Sequence, residues 1–156
     1  MSVFGSGPRI TPFLWFDSNA EEAVEFYLTV FRNARRVDEM RTAPMPQNPT
    51  GGVLTVAFEL DGQRFVALNG GPMFRFTEAV SFVVRCDSQE EADYYWSRLS
   101  DGGSEGRCGW LKDRFGLSWQ VVPTRALELM RHPKALQALM GMGKLDIAAL
   151  EKAAQE

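Results

Sequence analysis

One short pattern occurs twice in this chain, and it restricts the possible fold more than any other feature. FDSNAEEAVEFY (16–27) and CDSQEEADYYW (86–96) align when Asn19 is removed, as Asp-Ser, one further residue, Glu-Glu-Ala and then acidic and aromatic residues. An apolar run precedes each copy, ITPFLW in the first and AVSFVVR in the second. Each copy therefore predicts a strand that leads into a helix.

The start of each predicted helix has the residues that a helix N-terminus favours. The side-chain oxygens of an Asp-Ser pair can accept hydrogen bonds from free backbone N–H groups. Acidic residues in the first turn suit the helix dipole. We therefore predict helices over about 19–32 and 89–100. Helical spacing assigns these residues to the buried face of the first helix: Ala20, Ala23, Val24, Tyr27, Leu28 and Phe31.

The later part of each half repeats as well. DGQRFVALN (61–69) resembles FGLSWQVVP (115–123), which aligns Val66 with Gln120. Each segment is predicted to be a strand entered through a glycine-containing turn. Another strand precedes each of them, GVLTVAFEL in the first half and RCGWLKD in the second. Each half is thus predicted to run strand, helix and then three strands, which is a βαβββ module.

The predicted fold class is α+β, with two βαβββ modules and a helical extension. The modules are placed at 8–70 and 71–123, and Leu- and Met-rich helices fill 124–156. The segment TAPMPQNPTGG (42–52) has three prolines and predicts an irregular loop. The Gly-rich segment DGGSEGRCG (101–109) is interpreted as a turn after a helix.

Charge and composition restrict the partners. The chain has 17 basic and 20 acidic residues, a net charge of −3, whereas nucleic-acid binding usually requires a basic face. No apolar run is long enough to span a bilayer, and no signal-peptide pattern is present. We therefore expect a cytoplasmic protein that binds neither nucleic acid nor membrane. Its two cysteines, Cys86 and Cys108, are expected to be ordinary thiols.

Several stretches resemble the PhnB-like branch of the vicinal oxygen chelate superfamily, which includes glyoxalase I, bleomycin-resistance proteins and extradiol dioxygenases. They are ITPFLWFDSNAEEAVEFY, FELDGQRFVALNGGP, CGWLKDRFGLSWQVVP and KLDIAALE, and the resemblance covers about 10–151. This branch often carries the label 3-demethylubiquinone-9 3-methyltransferase. The resemblance implies a curved mixed sheet, a cavity between the two modules and a homodimer.

The metal-using members of that superfamily take one metal ligand from the first strand and one from the last strand of each module. The last-strand signature resembles Asp-Pro-Phe-Gly-Asn-x-Trp-Glu, and here it reads DRFGLSWQ, so Gln120 stands at the glutamate position. Val66 is its repeat mate, and the first-strand positions fall at about Ile10 and Val80. Apolar side chains donate nothing to a metal, and one amide is a weak ligand. We therefore expect no metal and no other cofactor.

Residues that alternate along a strand share a face, so counting from the ligand positions assigns side chains to the cavity. The expected polar points are Arg64, Ser118 and Gln120, and Asn69 is expected at the rim, beside a possible lid at 70–76. The predicted ligand-binding set is Leu14, Phe16, Arg64, Val66, Leu68, Asn69, Phe82, Ser118 and Gln120. Residues expected beneath the helices are Phe13, Trp15, Phe65, Val83 and Trp119. Such a cavity suits a small apolar or aromatic organic molecule.

Four functions stay open at the level of sequence. The first is a metal-free protein that binds a small organic ligand. The second is a metal-free enzyme assisted by Glu59, Arg64 or water, and the third is a structural or regulatory dimer. The fourth is a metal enzyme completed by a second subunit, although His132 is the single histidine. The methyltransferase activity in the family label is not predicted, because the chain lacks repeated strand-helix-strand alternation.

Two features of the sequence have no assigned role. Met73 stands where close relatives often have histidine, and the role of the helices over 124–156 is left open between covering a sheet edge and dimerisation.

Overall fold

The computed structural model describes residues 3–46 and 49–156. The chain divides into two compact units, Met1–Arg75 (unit 1) and Phe76–Glu156 (unit 2), which are treated separately below. Residues 47 and 48 of the predicted 42–52 loop lie outside the described residues. Within the described residues, no helix has the length and apolar character needed to cross a bilayer.

Unit 1 is a βαβββ module. Its elements are β1 (Phe13–Phe16), α1 (Ala20–Val30), β2 (Ala34–Thr42), β3 (Gly52–Leu60) and β4 (Gln63–Asn69). The strands form one mixed sheet in the order β1-β4-β3-β2, in which only the β1–β4 pair is parallel. The predicted Asp61-Gly62 turn joins β3 to β4. Both residues have positive φ, 49° and 81°, as a tight hairpin turn requires.

Unit 2 repeats this arrangement and adds three helices. Its elements are β5 (Ser81–Cys86), α2 (Gln89–Ser100), β6 (Ser104–Glu105), β7 (Trp110–Lys112), β8 (Ser118–Pro123), α3 (Thr124–Leu129), α4 (Pro133–Met140) and α5 (Ile147–Ala154). The strand order, β5-β8-β7-β6, corresponds to that of unit 1. The α+β prediction of two βαβββ modules with C-terminal helices is therefore confirmed. The Gly-rich segment that we interpreted as a turn contains the short strand β6.

The two helix starts differ, although their sequences repeat. Ser88 caps α2 as predicted, since its hydroxyl accepts a hydrogen bond from the Glu91 N–H at 3.1 Å. In α1 the extra residue Asn19 takes the cap position and its side chain makes no cap bond. The free Ala20 N–H instead donates to Oδ1 of Asn69, at the end of β4, at 2.9 Å. A distant strand thus performs the capping that the local sequence predicted for Asp17 and Ser18.

Each helix covers one face of its own sheet. In unit 1 the rings of Tyr27, Phe58 and Phe65 stack in series, with centroids 6.1 and 5.3 Å apart, and this assigns Phe58 and Phe65 to the helix side. In unit 2 the C-terminal helices form a buried cluster with the end of β8: Val122, Ala126, Leu129, Ala135, Leu139, Leu145 and Leu150. Val122 alternates with Ser118 and Gln120 along β8, which would place it on the cavity side, and it packs into this cluster instead.

Candidate functional site

The sheet face opposite each helix is the candidate site surface, and strand register decides which residues lie on it. We define the unit 1 open face as Phe13, Trp15, Thr55, Ala57, Glu59, Arg64, Val66 and Leu68. We define the unit 2 open face as Ser81, Val83, Ser104, Trp110, Lys112, Ser118 and Gln120. Residues paired across neighbouring strands share a face.

Three residues of the first strands that were predicted to face the cavity lie on the other face of the sheet. Phe13 pairs with Val66 and Trp15 with Leu68, so Leu14 and Phe16 lie on the opposite face, where they are buried. Phe82 likewise pairs with Trp119, and their rings lie 5.7 Å apart on the helix side.

The exposure of the alternate residues on these strands confirms the assignment of faces. Phe13 is 48% exposed and Val83 is 58% exposed, although both were predicted to pack beneath helices. Trp15 is half-buried on this face, whereas Phe65 and Trp119 lie on the helix side as predicted.

Arg64 lies on the unit 1 open face beside Val66 and Leu68, as predicted, but its guanidinium group is already engaged. It pairs with Glu59 at 3.3 Å and donates to the carbonyl of Val3 at 3.0 Å. Glu59 also accepts from Arg35 at 2.9 Å. The Glu59 carboxylate that we considered as a general base is therefore held by two guanidinium groups.

Asn69 has a structural role in unit 1. Beyond its cap bond to Ala20, its amide nitrogen donates to the Val53 carbonyl at 2.9 Å, so it ties β4 to both α1 and β3. Asn69 does line a large cleft of about 830 Å³ in unit 1, together with Asp17, Ser18, Glu21, Arg41, Pro46, 49–53 and 70–73. In that cleft both functional atoms of its amide are satisfied.

Gln120 and Ser81 are joined on the unit 2 open face. The Gln120 amide nitrogen donates to the Ser81 hydroxyl at 2.9 Å, across the parallel β5–β8 pair. Gln120 pairs with Trp110 on its other side, and Ser118 pairs with Lys112. The structure thus brings two of the predicted residues, Ser118 and Gln120, onto one surface with a tryptophan and a lysine.

A cavity of about 280 Å³ opens on this side of unit 2. It is lined by Glu78, Ser104, Glu105, Gly106, Trp110, Leu111, Lys112 and Ser118. The Ser118 side chain is 1% exposed, and within the described residues its hydroxyl has no hydrogen-bond partner. A buried hydroxyl without a partner costs about 1–3 kcal/mol. Ser118 is therefore a polar group in the cavity wall whose bonding capacity is unused.

The rim of this cavity carries an ion pair. The ammonium group of Lys112 binds the carboxylate of Glu78, the residue three positions before β5. This hydrogen bond, followed by one from the backbone of Glu78 itself, lowers the pKa of the Glu78 carboxyl group. Both side chains are about half exposed, so solvent screens the pair.

The turn between β7 and β8 is organised by Asp113, a nearly fully buried carboxylate. Its Oδ1 accepts from the N–H groups of Phe115 and Leu117, at 2.8 and 3.1 Å. Its Oδ2 accepts from the indole N–H of Trp119 at 2.9 Å. The first and seventh residues of DRFGLSWQ are thus bonded to one another, and this contact fixes the hairpin that carries Lys112 and Ser118.

Comparison with known proteins identifies the family of this chain. Residues 8–122 match the family model for 3-demethylubiquinone-9 3-methyltransferase. A putative 3-demethylubiquinone-9 3-methyltransferase, the PhnB protein of Bacillus cereus, is 32% identical, with a TM-score of 0.68 over 75% of this chain and 100% of that one. The chain belongs to this PhnB-like family.

More distant structures share the fold of the family. A Pseudomonas aeruginosa protein is 21% identical, with a TM-score of 0.63 over 75% of this chain and 98% of that one. The fosfomycin resistance protein FosX of Listeria monocytogenes, in complex with Mn(II) and sulfate, is 14% identical, with a TM-score of 0.55 over 81% and 98%. These likenesses show that the PhnB-like chain shares the fold of both proteins. A comparison with curated proteins finds no match.

The residues of this PhnB-like chain do not fit the superfamily metal site. Gln120, at the last-strand position, uses its amide nitrogen to bind Ser81, and Val66 offers no donor atom. In residues 3–46 and 49–156, no three His, Cys, Asp or Glu side chains are grouped as metal ligands would be. The expectation that no metal is bound stays a prediction.

Sequence reasoning missed Lys112, Trp110 and Glu78. The signal for the first two was present, because residues that alternate along CGWLKD lie opposite those of LSWQ once the hairpin register is known. Glu78 lies before β5, in a segment without periodicity, and only the folded structure brings it to Lys112.

Proposed function

We propose that this protein binds a small organic molecule on the unit 2 open face, with the Ser118 hydroxyl as a hydrogen-bonding partner. The observation that carries the proposal is the buried, unpartnered hydroxyl of Ser118, a residue that lines a cavity of about 280 Å³. That volume corresponds to roughly nine water molecules at about 30 Å³ each. It suits a ligand with a single ring and one polar group.

The neighbouring side chains support the same proposal. Trp110 presents a half-buried indole beside the cavity, and aromatic surfaces contribute strongly to the binding of flat apolar groups. Ligand sites typically combine an apolar wall with a few placed polar groups. The larger cleft of unit 1 is less suited, because its partly buried amide, Asn69, is already bonded at both ends.

The test compares Ser118→Ala with Ser97→Ala, a matched removal of one hydroxyl from the exposed side of α2. Native mass spectrometry of untagged protein reports a co-purified organic molecule, and a fragment library screened by amide NMR shifts reports new ligands. We expect bound molecules to shift residues around Ser118 and to bind Ser118→Ala several-fold more weakly, with Ser97→Ala unchanged.

Stability separates a ligand role from a structural one. Removal of an unpartnered buried hydroxyl relieves its desolvation cost of about 1–3 kcal/mol and loses some packing, so the net change is neutral or stabilising. Ser118→Ala should therefore unfold at the same or a higher urea concentration while it binds more weakly. The proposal fails if fragments map to the unit 1 cleft alone, or if Ser118→Ala destabilises the fold and leaves binding intact.

A further inference from the structure

Three donor side chains form a row across neighbouring strands of unit 2. Lys112 on β7 pairs with Ser104 on β6 and with Ser118 on β8, so a residue with a hydroxyl lies at the paired position on each side of Lys112. Side chains at directly opposite positions of a strand pair have Cβ atoms about 4.5–5.5 Å apart. All three line the same cavity. The row therefore offers one positive charge and two hydroxyl donors to a single acceptor group.

A carboxylate of the chain itself already binds the ammonium group of this row. Glu78 reaches Lys112 from the segment before β5, and both residues line the cavity. An ion pair between half-exposed side chains contributes little to stability, because solvent screens the two charges. A second carboxylate that also bonds to the buried Ser118 hydroxyl can therefore displace Glu78 from the ammonium group.

Trp110 defines the other part of the ligand. It lies two residues before Lys112 on β7, and so on the same face of the sheet. An apolar or aromatic body packed against its indole would place an attached acid group toward Lys112 and Ser118.

We propose that the unit 2 cavity takes a small aromatic or apolar carboxylate, and that Glu78 is an internal competitor for the same cation. The ligand carboxylate binds Lys112 and the Ser118 hydroxyl, and its ring packs on Trp110. This inference rests on the proposed function, since it names the ligand class of that site. It also predicts an uncommon result, a gain in affinity when a residue lining the site loses its charge.

The experiment titrates the full chain with three probes of similar shape, benzoate, benzyl alcohol and benzylamine, and follows the amide shifts of unit 2 by NMR. The variants are Glu78→Gln, Lys112→Gln and Ser118→Ala. Glu90→Gln is the matched control, because Glu90 is an exposed glutamate of α2 outside the cavity. We expect benzoate to bind more tightly than the alcohol or the amine.

The variants give the sharper result. Glu78→Gln should tighten benzoate binding about two- to fivefold, which is the range for a screened ion pair, while Glu90→Gln changes nothing. Lys112→Gln should abolish the preference for benzoate over benzyl alcohol. Ser118→Ala should weaken benzoate and benzyl alcohol together.

Different results would contradict the two proposals. The carboxylate assignment is wrong if benzyl alcohol or benzylamine binds as tightly as benzoate and if Glu78→Gln and Glu90→Gln have the same affinity for benzoate. That result would leave the ligand site itself intact. The absence of shifts around Ser118 with all three probes, in the parent chain and in Glu78→Gln, would overturn both proposals.

Discussion

The carboxylate of Asp113 is the group whose loss should disturb unit 2 most. It is 2% exposed and accepts hydrogen bonds from two backbone N–H groups and from the indole of Trp119. Asp113→Asn keeps the shape and removes the charge. The amide oxygen can still accept both backbone hydrogen bonds. The amide nitrogen, however, replaces Oδ2, so two hydrogen-bond donors, the new amide and the Trp119 N–H, face each other.

The expected magnitude follows from these contacts. A hydrogen bond to a charged group contributes about 1.5–3 kcal/mol, and a buried donor left without a partner costs about 1–3 kcal/mol. Since the two backbone bonds survive in weakened form, we expect Asp113→Asn to lower the free energy of unfolding by about 3 kcal/mol. For a chain of this length that corresponds to a fall in Tm of about 6–12 °C.

Urea unfolding followed by far-UV circular dichroism measures this loss, provided that the m-value is unchanged. Asp101→Asn is the matched control. Asp101 is an exposed partner of Arg114, and its charge should matter by less than about 0.5 kcal/mol. Trp119→Phe completes a double-mutant cycle, because a phenyl ring has no N–H to oppose the new amide.

The cycle decides whether the reasoning holds. In the Trp119→Phe background, Asp113→Asn should cost about 1–2 kcal/mol less than in the parent chain, since contacting residues couple in this range. A cost below about 1 kcal/mol in the parent chain, or effects that add within about 0.5 kcal/mol, would refute the assigned role of the Asp113–Trp119 bond.

Two further predictions concern other parts of the fold. Asn69→Ala should lower the free energy of unfolding by about 2 kcal/mol, because the cap of α1 is lost, whereas Asn19→Ala should cost less, since its side chain makes no cap bond; urea unfolding of both variants checks this. Burial raises the pKa of the Cys86 thiol from 9.0 to about 12, and the negative charges of Glu91 and Asp87 add to this effect. Mass spectrometry at pH 8 should therefore show alkylation of Cys86 only after unfolding. The folded chain holds that proton more tightly, so its contribution to stability is complete below pH 9 and is lost as the pH rises toward 12; Cys86→Ala should flatten Tm over that interval.

The fold was readable from the sequence because its signals are local and repeated. The strand-helix junctions, the Asp61-Gly62 turn and helix 89–100 each depend on a few consecutive residues, and each appears where predicted. The capping of α1 by Asn69 was not readable, since it joins residues 49 positions apart. Nothing near Asn69 in the sequence marks it as the partner of a helix N-terminus.

The faces of the first strands could not be read from their own residues. FLWF is apolar at every position of β1, so no alternation distinguishes the covered side from the open one. A shift by one residue then exchanges every side chain between faces. The parallel pairing of Phe13 with Val66 supplies the missing information for Leu14 and Phe16, and the pairing of Phe82 with Trp119 supplies it for Phe82. All three lie away from the predicted site.

In the DRFGLSWQ segment, the residues that build the hairpin differ from the residues that face a possible ligand. Asp113 and Trp119 bond to each other on the covered side and build the hairpin, so their presence carries the resemblance and fixes the fold. Ser118 and Gln120 alternate with them on the open face, where they do not support the hairpin turn. Substitution there leaves the scaffold intact and changes what it can bind. A glutamine bonded to Ser81 beside an unpartnered serine is therefore compatible with the same scaffold, and its amide is a weaker metal ligand than the carboxylate of the family signature.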